Sequence, residues 1–278
     1  MTPQKRTALV LAWFWPAVFF LLPFAMVLKI SISEPQLSVP PYGNLPTLES
    51  YARLFEDALY IKALLGSLKV AAVATFFALI LGYPMAYAIA RAPVQYRMTL
   101  LTLVMLPFWT SFLVRVYAWI TLLRPTGVIN TLLQDLHMID GPLGLLNTPG
   151  AVYLGIVYTY LPFMVLPLYA RLEKIDPALL EAAADLGATP WRRFLSVTLP
   201  LSLPGVLAGC LLVFIPAVGE FVIPELMGGP DTLMIGKVLW SEFFSNRDWP
   251  MSAALAVVLL VALVGPIMLF QWRQRHDA

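Results

Sequence analysis

Residues 181–200 read EAAADLGATPWRRFLSVTLP, a run of alanines, charges and one glycine between two stretches apolar enough to span a bilayer. The run is too polar to cross the hydrocarbon and too rich in helix formers to be a slack linker. Its lead-in, DPALL, supplies Asp176 as an N-cap and Pro177 at the first helical position. Gly187 can take the left-handed conformation that stops a helix. Thr189-Pro190 repeats the cap-and-start signal for a second short helix through about Val197, and Pro200 and Pro204 mark entry into the next apolar stretch. Two short helices joined at a glycine are therefore expected. Ala182, Ala183 and Ala184 leave a small, flat surface that another backbone can approach closely. Glu181 and Asp185 set acceptors at its edge; Arg192 and Arg193 set donors. A helix pair merely resting on lipid would be strongly basic with bulky apolar residues. Docking to protein is the preferred reading.

The rest of the chain says what that segment is attached to. Of 278 residues, 60% are hydrophobic and 12% charged, about half the charge of a soluble domain. Such a chain cannot cover itself in water, which makes it an integral membrane protein. A net charge of +2 gives no reason to expect nucleic acid or another polyanion as partner. Cys210 is the single cysteine, and His137 and His276 are far apart, so neither an intrachain disulfide nor a metal cluster is expected. Gly236-Lys237 lacks the rest of a phosphate loop, so the chain should hold no ATP and no other cofactor by itself.

Six windows meet the length of about 20 apolar residues that a span needs: 8–28, 64–90, 100–123, 151–170, 203–224 and 252–271. The first exceeds a signal-peptide core and is followed by no clear Ala-x-Ala site, so it is taken as an uncleaved span. With both termini inside, the inner side collects Lys5, Arg6, Arg91, Arg97, Arg171, Lys174, Arg192, Arg193, Arg273 and Arg275 against five acids, Glu173, Asp176, Glu181, Asp185 and Asp277. Retention of Lys and Arg in the cytoplasm favours this orientation, N-in and C-in. Residues 171–200 are then cytoplasmic. Proline recurs in the spans at 16, 23, 84, 107, 162, 167 and 216, either as ordinary membrane-helix composition or as bends around a cavity.

The cytoplasmic segment resembles the EAA signature of the permease subunits of bacterial ABC importers: E-A-A, three residues, Gly, nine residues, Ile, one residue, Leu-Pro. Glu181-Ala182-Ala183, Gly187, Val197, Leu199 and Pro200 stand at those positions, with Val in place of Ile. The resemblance implies an all-α bundle of type I importer form, six transmembrane helices and a cytoplasmic two-helix coupling loop. It implies that Glu181, Ala182, Ala183, Gly187, Arg192, Leu199 and Pro200 serve coupling to a dimer of separate ATPase subunits, which bind ATP and magnesium. It also implies a second homologous permease and a periplasmic binding protein. LPFMVLPLYARLEKIDPALLEAAADLGAT and FIPAVGEFVIPELMGGPDTLMIGKVLW resemble the polyamine branch of this family, the second most like putrescine permeases. The expected location is the bacterial inner membrane, multi-pass.

Two charges fall at membrane depth: Arg115 in SFLVRVYAWI and Glu220 in PAVGEFVIP. A charge near the bilayer centre costs at least about 2.5–3.5 kcal/mol and needs a partner or a wet cavity. One reading is a structural Arg–Glu pair or snorkelling. The other is a pathway in which Glu220 attracts an organic cation and Tyr117, Trp119, Tyr158 or Phe221 offer aromatic faces. Gly205 and Gly209 form a GxxxG, open to self-packing or to a subunit seam. The outer loops, about 29–63, 124–150 and 225–251, carry acids including Asp231, and VINTLLQDLHMI (128–139) reads as a short amphipathic helix. An autonomous ion-coupled secondary transporter of organic cations is the alternative class; it predicts internal repeats and several intramembrane acids, and only Glu220 is clear within the windows. An intramembrane enzyme would need a Ser/His pair or a metal cluster within the spans, and neither is present in the sequence.

Overall fold

The computed structural model describes residues 3–230 and 232–276; Asp231 and Asp277 lie outside the described residues. In chain order the elements are α1 (Pro3–Ser31), a hairpin of β1 (Ser33–Pro35) and β2 (Tyr42–Pro46), α2 (Glu49–Glu56), α3 (Ala58–Arg91), α4 (Val94–Met105), α5 (Phe112–Leu123), α6 (Val128–Asp135), α7 (Pro149–Leu172), α8 (Pro177–Asp185), α9 (Pro190–Arg193), α10 (Leu199–Val218), α11 (Val222–Met227), α12 (Ile235–Trp240) and α13 (Trp249–His276). Among the described residues five helices are long and apolar enough to cross a membrane, and a shorter apolar helix covers Trp249–Gly265.

Two expectations need correction. The third window, 100–123, is not one helix: α4 gives way to a 3-10 turn at Leu106–Trp109, and α5 begins at Phe112. Pro107 lacks an N–H, and the Thr110 backbone N–H and hydroxyl both donate to its carbonyl, the hydroxyl at 2.7 Å. That local bonding competes with the helical ladder. The fifth window also breaks, since α10 stops at Val218 and residues 219–221 separate it from α11. The bundle is helical as expected, with one short hairpin in the first loop. Prolines 35, 40, 41 and 46 exclude a helix from residues 33–46, which form an antiparallel pair with Ser33 opposite Pro46 and Pro35 opposite Tyr42, before α2 begins at Glu49. Of the span prolines, only Pro107 breaks its helix; the others sit inside continuous ones.

By its contacts the chain divides into two compact units, Met1–Leu64 with Ile235–Ala278, and Leu65–Met234, the boundary falling inside α3. In the first unit α13 packs on α1, α2 and β1, with Leu54, Ile235, Met251, Ala254 and Leu255 buried. Its buried acid and the neighbouring ion pair are satisfied internally, while the buried Ser50 hydroxyl has no hydrogen-bond partner among the described residues. Glu242 accepts from Tyr60 Oη and Asn246 Nδ2, both at 3.0 Å. Arg53 pairs with Asp248 at 3.0 Å, and Asp248 also accepts from the Met251 N–H at the start of α13. Burial pulls the Arg53 guanidinium down, but the Asp248 hydrogen bond and charge outweigh it, so its pKa rises above the usual arginine value.

The second unit is built on α7 against α10. Ile156, Met164, Val165, Leu168 and Leu172 from α7 are buried with Val213 and Ala217 from α10. The GxxxG allows this approach. A Cβ on Gly205 would lie 2.9 Å from the Pro167 carbonyl oxygen, and one on Gly209 would lie 3.1 Å from that of Met164. The glycines therefore serve packing within the chain.

Candidate functional site

Each local signal in residues 176–200 has its expected partner. Asp176 Oδ1 accepts from the Ala178 N–H at 2.9 Å, and Thr189 Oγ1 from the Arg192 N–H at 3.4 Å. Helix α8 ends in a left-handed turn: Gly187 has φ +79°, its N–H donates to Ala184 O, and that of Ala188 donates to Ala183 O. No atom lies within 4 Å of a Cβ placed on Gly187, so its backbone conformation alone requires glycine.

The second short helix does not end at Val197. It passes through a π-helical turn at Phe194–Thr198 straight into α10. Pro200 would clash with the carbonyl of residue 196 in a regular α-helix, and a widened turn relieves that clash. The result is one continuous helix over Pro190–Val218, 29 residues long. Its base is fixed by Phe194, which stacks on Trp191 and meets Tyr83 edge-on, both at 5.5 Å. Tyr83 Oη is hydrogen-bonded to Ser202 Oγ at 2.8 Å, and Arg97 pairs with Glu173 at 3.2 Å.

Glu181, Ala182, Gly187 and Arg192 lie on the loop surface and Ala183 is half-buried; Leu199 and Pro200 sit in the first turn of α10. Sequence reasoning missed the apolar part of that surface. Leu186 is 88% exposed and Trp191 69%, with Leu179 also exposed. Their signal was present: large apolar side chains in a segment too polar to span.

Arg115 and Glu220 are both buried, each 8% exposed. They form no ion pair; among the described residues the ion pairs are Arg53–Asp248 and Arg97–Glu173. Glu220 instead caps α11, its Oε1 accepting from the N–H groups of Val222 and Ile223 at 3.1 and 3.4 Å. Tyr160 Oη donates to its Oε2 at 2.5 Å. The Arg115 guanidinium lies 5.8 and 5.9 Å from the ring centres of Phe108 and Phe112, and its Nε and Nη1 are buried with no hydrogen-bond partner among the described residues.

Phe108 meets Phe163 edge-on at 5.3 Å, and Phe163 stacks with Tyr160 at 6.2 Å. An unbroken run of rings thus connects Arg115 to Glu220. Of the aromatics expected there, Trp119 and Tyr158 pair with each other at 5.4 Å, Tyr117 is largely exposed, and Phe221 is half-buried beside Glu220. Tyr160, Phe163, Phe108 and Phe112 were missed; Tyr160 follows Tyr158 by two residues, and no spacing rule separates the two. A carboxylate has about four acceptor positions, so Glu220 retains one, beside aromatic faces. That arrangement suits an organic cation. No group of His, Cys, Asp and Glu able to hold a metal occurs among the described residues.

The model of the family described as binding-protein-dependent transport system inner membrane component matches residues 78–275, a range holding both the loop and the Arg115–Glu220 run. Over 260 residues the chain is 43% identical to the spermidine/putrescine transport system permease protein PotB of Escherichia coli K12, covering 93% of each. It is 42% identical over 260 residues to the PotB of Haemophilus influenzae, 94% of this chain and 90% of that protein. The inner membrane ABC transporter permease protein YdcU of Escherichia coli K12 is 36% identical over 231 residues, 78% of this chain and 73% of that one. In fold the chain resembles a chain of a bacterial ABC transporter involved in import of the acidic polysaccharide alginate, with a TM-score of 0.74 at 19% identity over 98% of this chain and 95% of that one.

Proposed function

The chain belongs to the family of binding-protein-dependent transport system inner membrane components, and on that premise we propose that it forms, with a second homologous permease, the polyamine pathway of an ATP-driven importer. Putrescine is the favoured cargo, with spermidine as the other. The likeness to PotB over 93% of the chain supports the substrate class. Both termini are cytoplasmic, and the coupling loop at 171–200 receives a dimer of ABC ATPase subunits, which carry the ATP and magnesium. A periplasmic polyamine-binding protein delivers cargo to the outer loops. A solved relative in fold was captured with its own alginate-bound periplasmic protein, which supports that mode of delivery.

The observation that carries the coupling role is the outward face of the loop, where Leu186 and Trp191 stand exposed beside Glu181 and Arg192. Interface anchors are enriched in tryptophan and arginine. Movement at this face has a direct route inward. The 29-residue helix Pro190–Val218 is about 43 Å long at 1.5 Å per residue, and it ends two residues before Glu220. When the ATPases close on ATP, a tilt of this helix displaces the Glu220 cap and the α11 turn it holds, opening the aromatic run. Glu220 then meets the cation at the one acceptor position its fold partners leave unused.

The test is uptake by the reconstituted complex under competition from a panel of polyamines. ATP-dependent uptake, competed most strongly by putrescine, is the expected result. Ion-gradient-driven uptake by this chain alone would contradict the proposal and support a secondary transporter.

A further inference from the structure

Under the loop lies a cavity of about 150 Å³ lined by Tyr87, Leu180, Pro190, Arg193, Phe194 and Thr198. Leu186 and Trp191 are not among its lining residues. Arg193 lines it with Nε buried and without a hydrogen-bond partner among the described residues. Arg91, the last residue of α3, stands 5.7 Å from the centre of the Tyr87 ring that lines the same cavity. Its Nε and Nη2 are likewise buried and unpartnered. Neither arginine has a carboxylate within ion-pair distance among the described residues; Glu173, an acid of the neighbouring α7–α8 turn, is taken by Arg97.

Three buried guanidinium N–H groups without partners, one on Arg193 at the cavity wall and two on Arg91 beside the Tyr87 ring, are a costly arrangement, because each unsatisfied buried donor forfeits a hydrogen bond to water. An anion that accepts from several of them removes the cost, and planar guanidinium forks match phosphate oxygens well. The space is about five times a water molecule's share of liquid volume, roughly 30 Å³, enough for one tetrahedral oxyanion. The geometry points to a phosphate site at Arg91 and Arg193, filled by the head group of an anionic phospholipid or by free phosphate. Its setting suits the lipid: Arg91 closes a membrane-length helix, and Val94, Tyr96 and Met98 just beyond it expose apolar surface. Basic pockets between transmembrane helices hold anionic head groups in this way. The occupant braces Pro190 and Phe194 at the base of the long helix, where the loop's motion enters the membrane. The inference is independent of the cargo.

The test uses the full chain in nanodiscs of phosphatidylethanolamine, of phosphatidylethanolamine with phosphatidylglycerol, and of phosphatidylethanolamine with added inorganic phosphate, with bound adducts read by native mass spectrometry. The wild type should retain a phosphatidylglycerol or phosphate adduct, and Arg91→Gln with Arg193→Gln should reduce retention about tenfold or more. Whichever additive is retained identifies the source. Arg91→Lys with Arg193→Lys, which keeps the charge, should restore part of the binding and controls for misfolding. Equal retention by wild type and the glutamine variant would overturn the site. So would crosslinking of Arg193→Cys to a carboxylate-bearing segment of a copurifying ATPase, which would make the anion a protein side chain.

Discussion

The loop at 176–198 and the ring-lined run from Arg115 to Glu220 both put polar groups into an otherwise apolar chain, and they complete them differently. In the loop, the caps are satisfied locally by Asp176, Thr189 and the Gly187 turn, while Leu186 and Trp191 are left uncovered. At Glu220 both carboxylate oxygens are held from within, by Tyr160 and by two backbone N–H groups. A surface that folds without its large apolar side chains is built to be covered by another molecule. A carboxylate anchored by its own fold goes where the α11 turn that it caps goes. The two sites share one element, the continuous helix Pro190–Val218.

The contrast is broken or sharpened by substitutions that separate association from folding. Leu186→Asp with Trp191→Asp should give the largest effect. A tryptophan anchor is worth about 2 kcal/mol or more, so ATPase association should fall at least about thirtyfold, with only a small drop in the thermal transition from the lost Trp191–Phe194 stacking, because neither side chain is buried. A parallel loss of stability would show that these residues serve the fold.

Glu220→Gln comes next. It keeps the shape but removes the charge and leaves one acceptor oxygen where two were used, by Tyr160 and by the α11 N–H groups, and polyamine uptake should fall about tenfold while the complex still assembles; a hydrogen bond to a charged group is worth about 1.5–3 kcal/mol. Unchanged uptake by assembled complex would remove Glu220 from the pathway. Combined with Tyr160→Phe in a double-mutant cycle, it should show coupling of at least about 0.5 kcal/mol; strict additivity would dissolve the anchored carboxylate. The smallest effect belongs to Gly187→Ala. A left-handed residue with a Cβ costs about 1 kcal/mol, and since no atom crowds that Cβ the strain falls on the turn. Transport coupled to ATP hydrolysis should drop about fivefold with little change in thermal stability.

The loop was legible because its determinants are local. Caps, proline starts and a left-handed glycine are read one residue at a time, and each lies where its spacing put it. Four of the six apolar windows, 8–28, 64–90, 151–170 and 252–271, fall inside continuous helices. What stayed hidden depends on long-range partners or on competition between local rules. The 100–123 window gave no sign that the Thr110 hydroxyl and Pro107 would together defeat the helix. Pro200 marked a boundary in sequence, yet a π-helical turn carries the chain past it. Tyr160 meets Glu220 across 60 positions of chain, and no pattern distinguishes it from Tyr158. Arg91 and Arg193 read as ordinary inner-side charges in sequence; the fold puts Arg193 in the wall of the Tyr87 cavity and Arg91 beside the Tyr87 ring.

The central claim is that the Gly187 turn is a cytoplasmic handle held by a separate ATPase. Leu186→Cys in a Cys210→Ser background offers one thiol, at the most exposed apolar position of the loop, for a short photoactivatable crosslinker in intact membranes. The account predicts an adduct with the ATPase that changes in yield when ATP is added, and labelling by impermeant thiol reagents only from the cytoplasmic side. Labelling only from the periplasmic side, with no ATPase adduct, would contradict it.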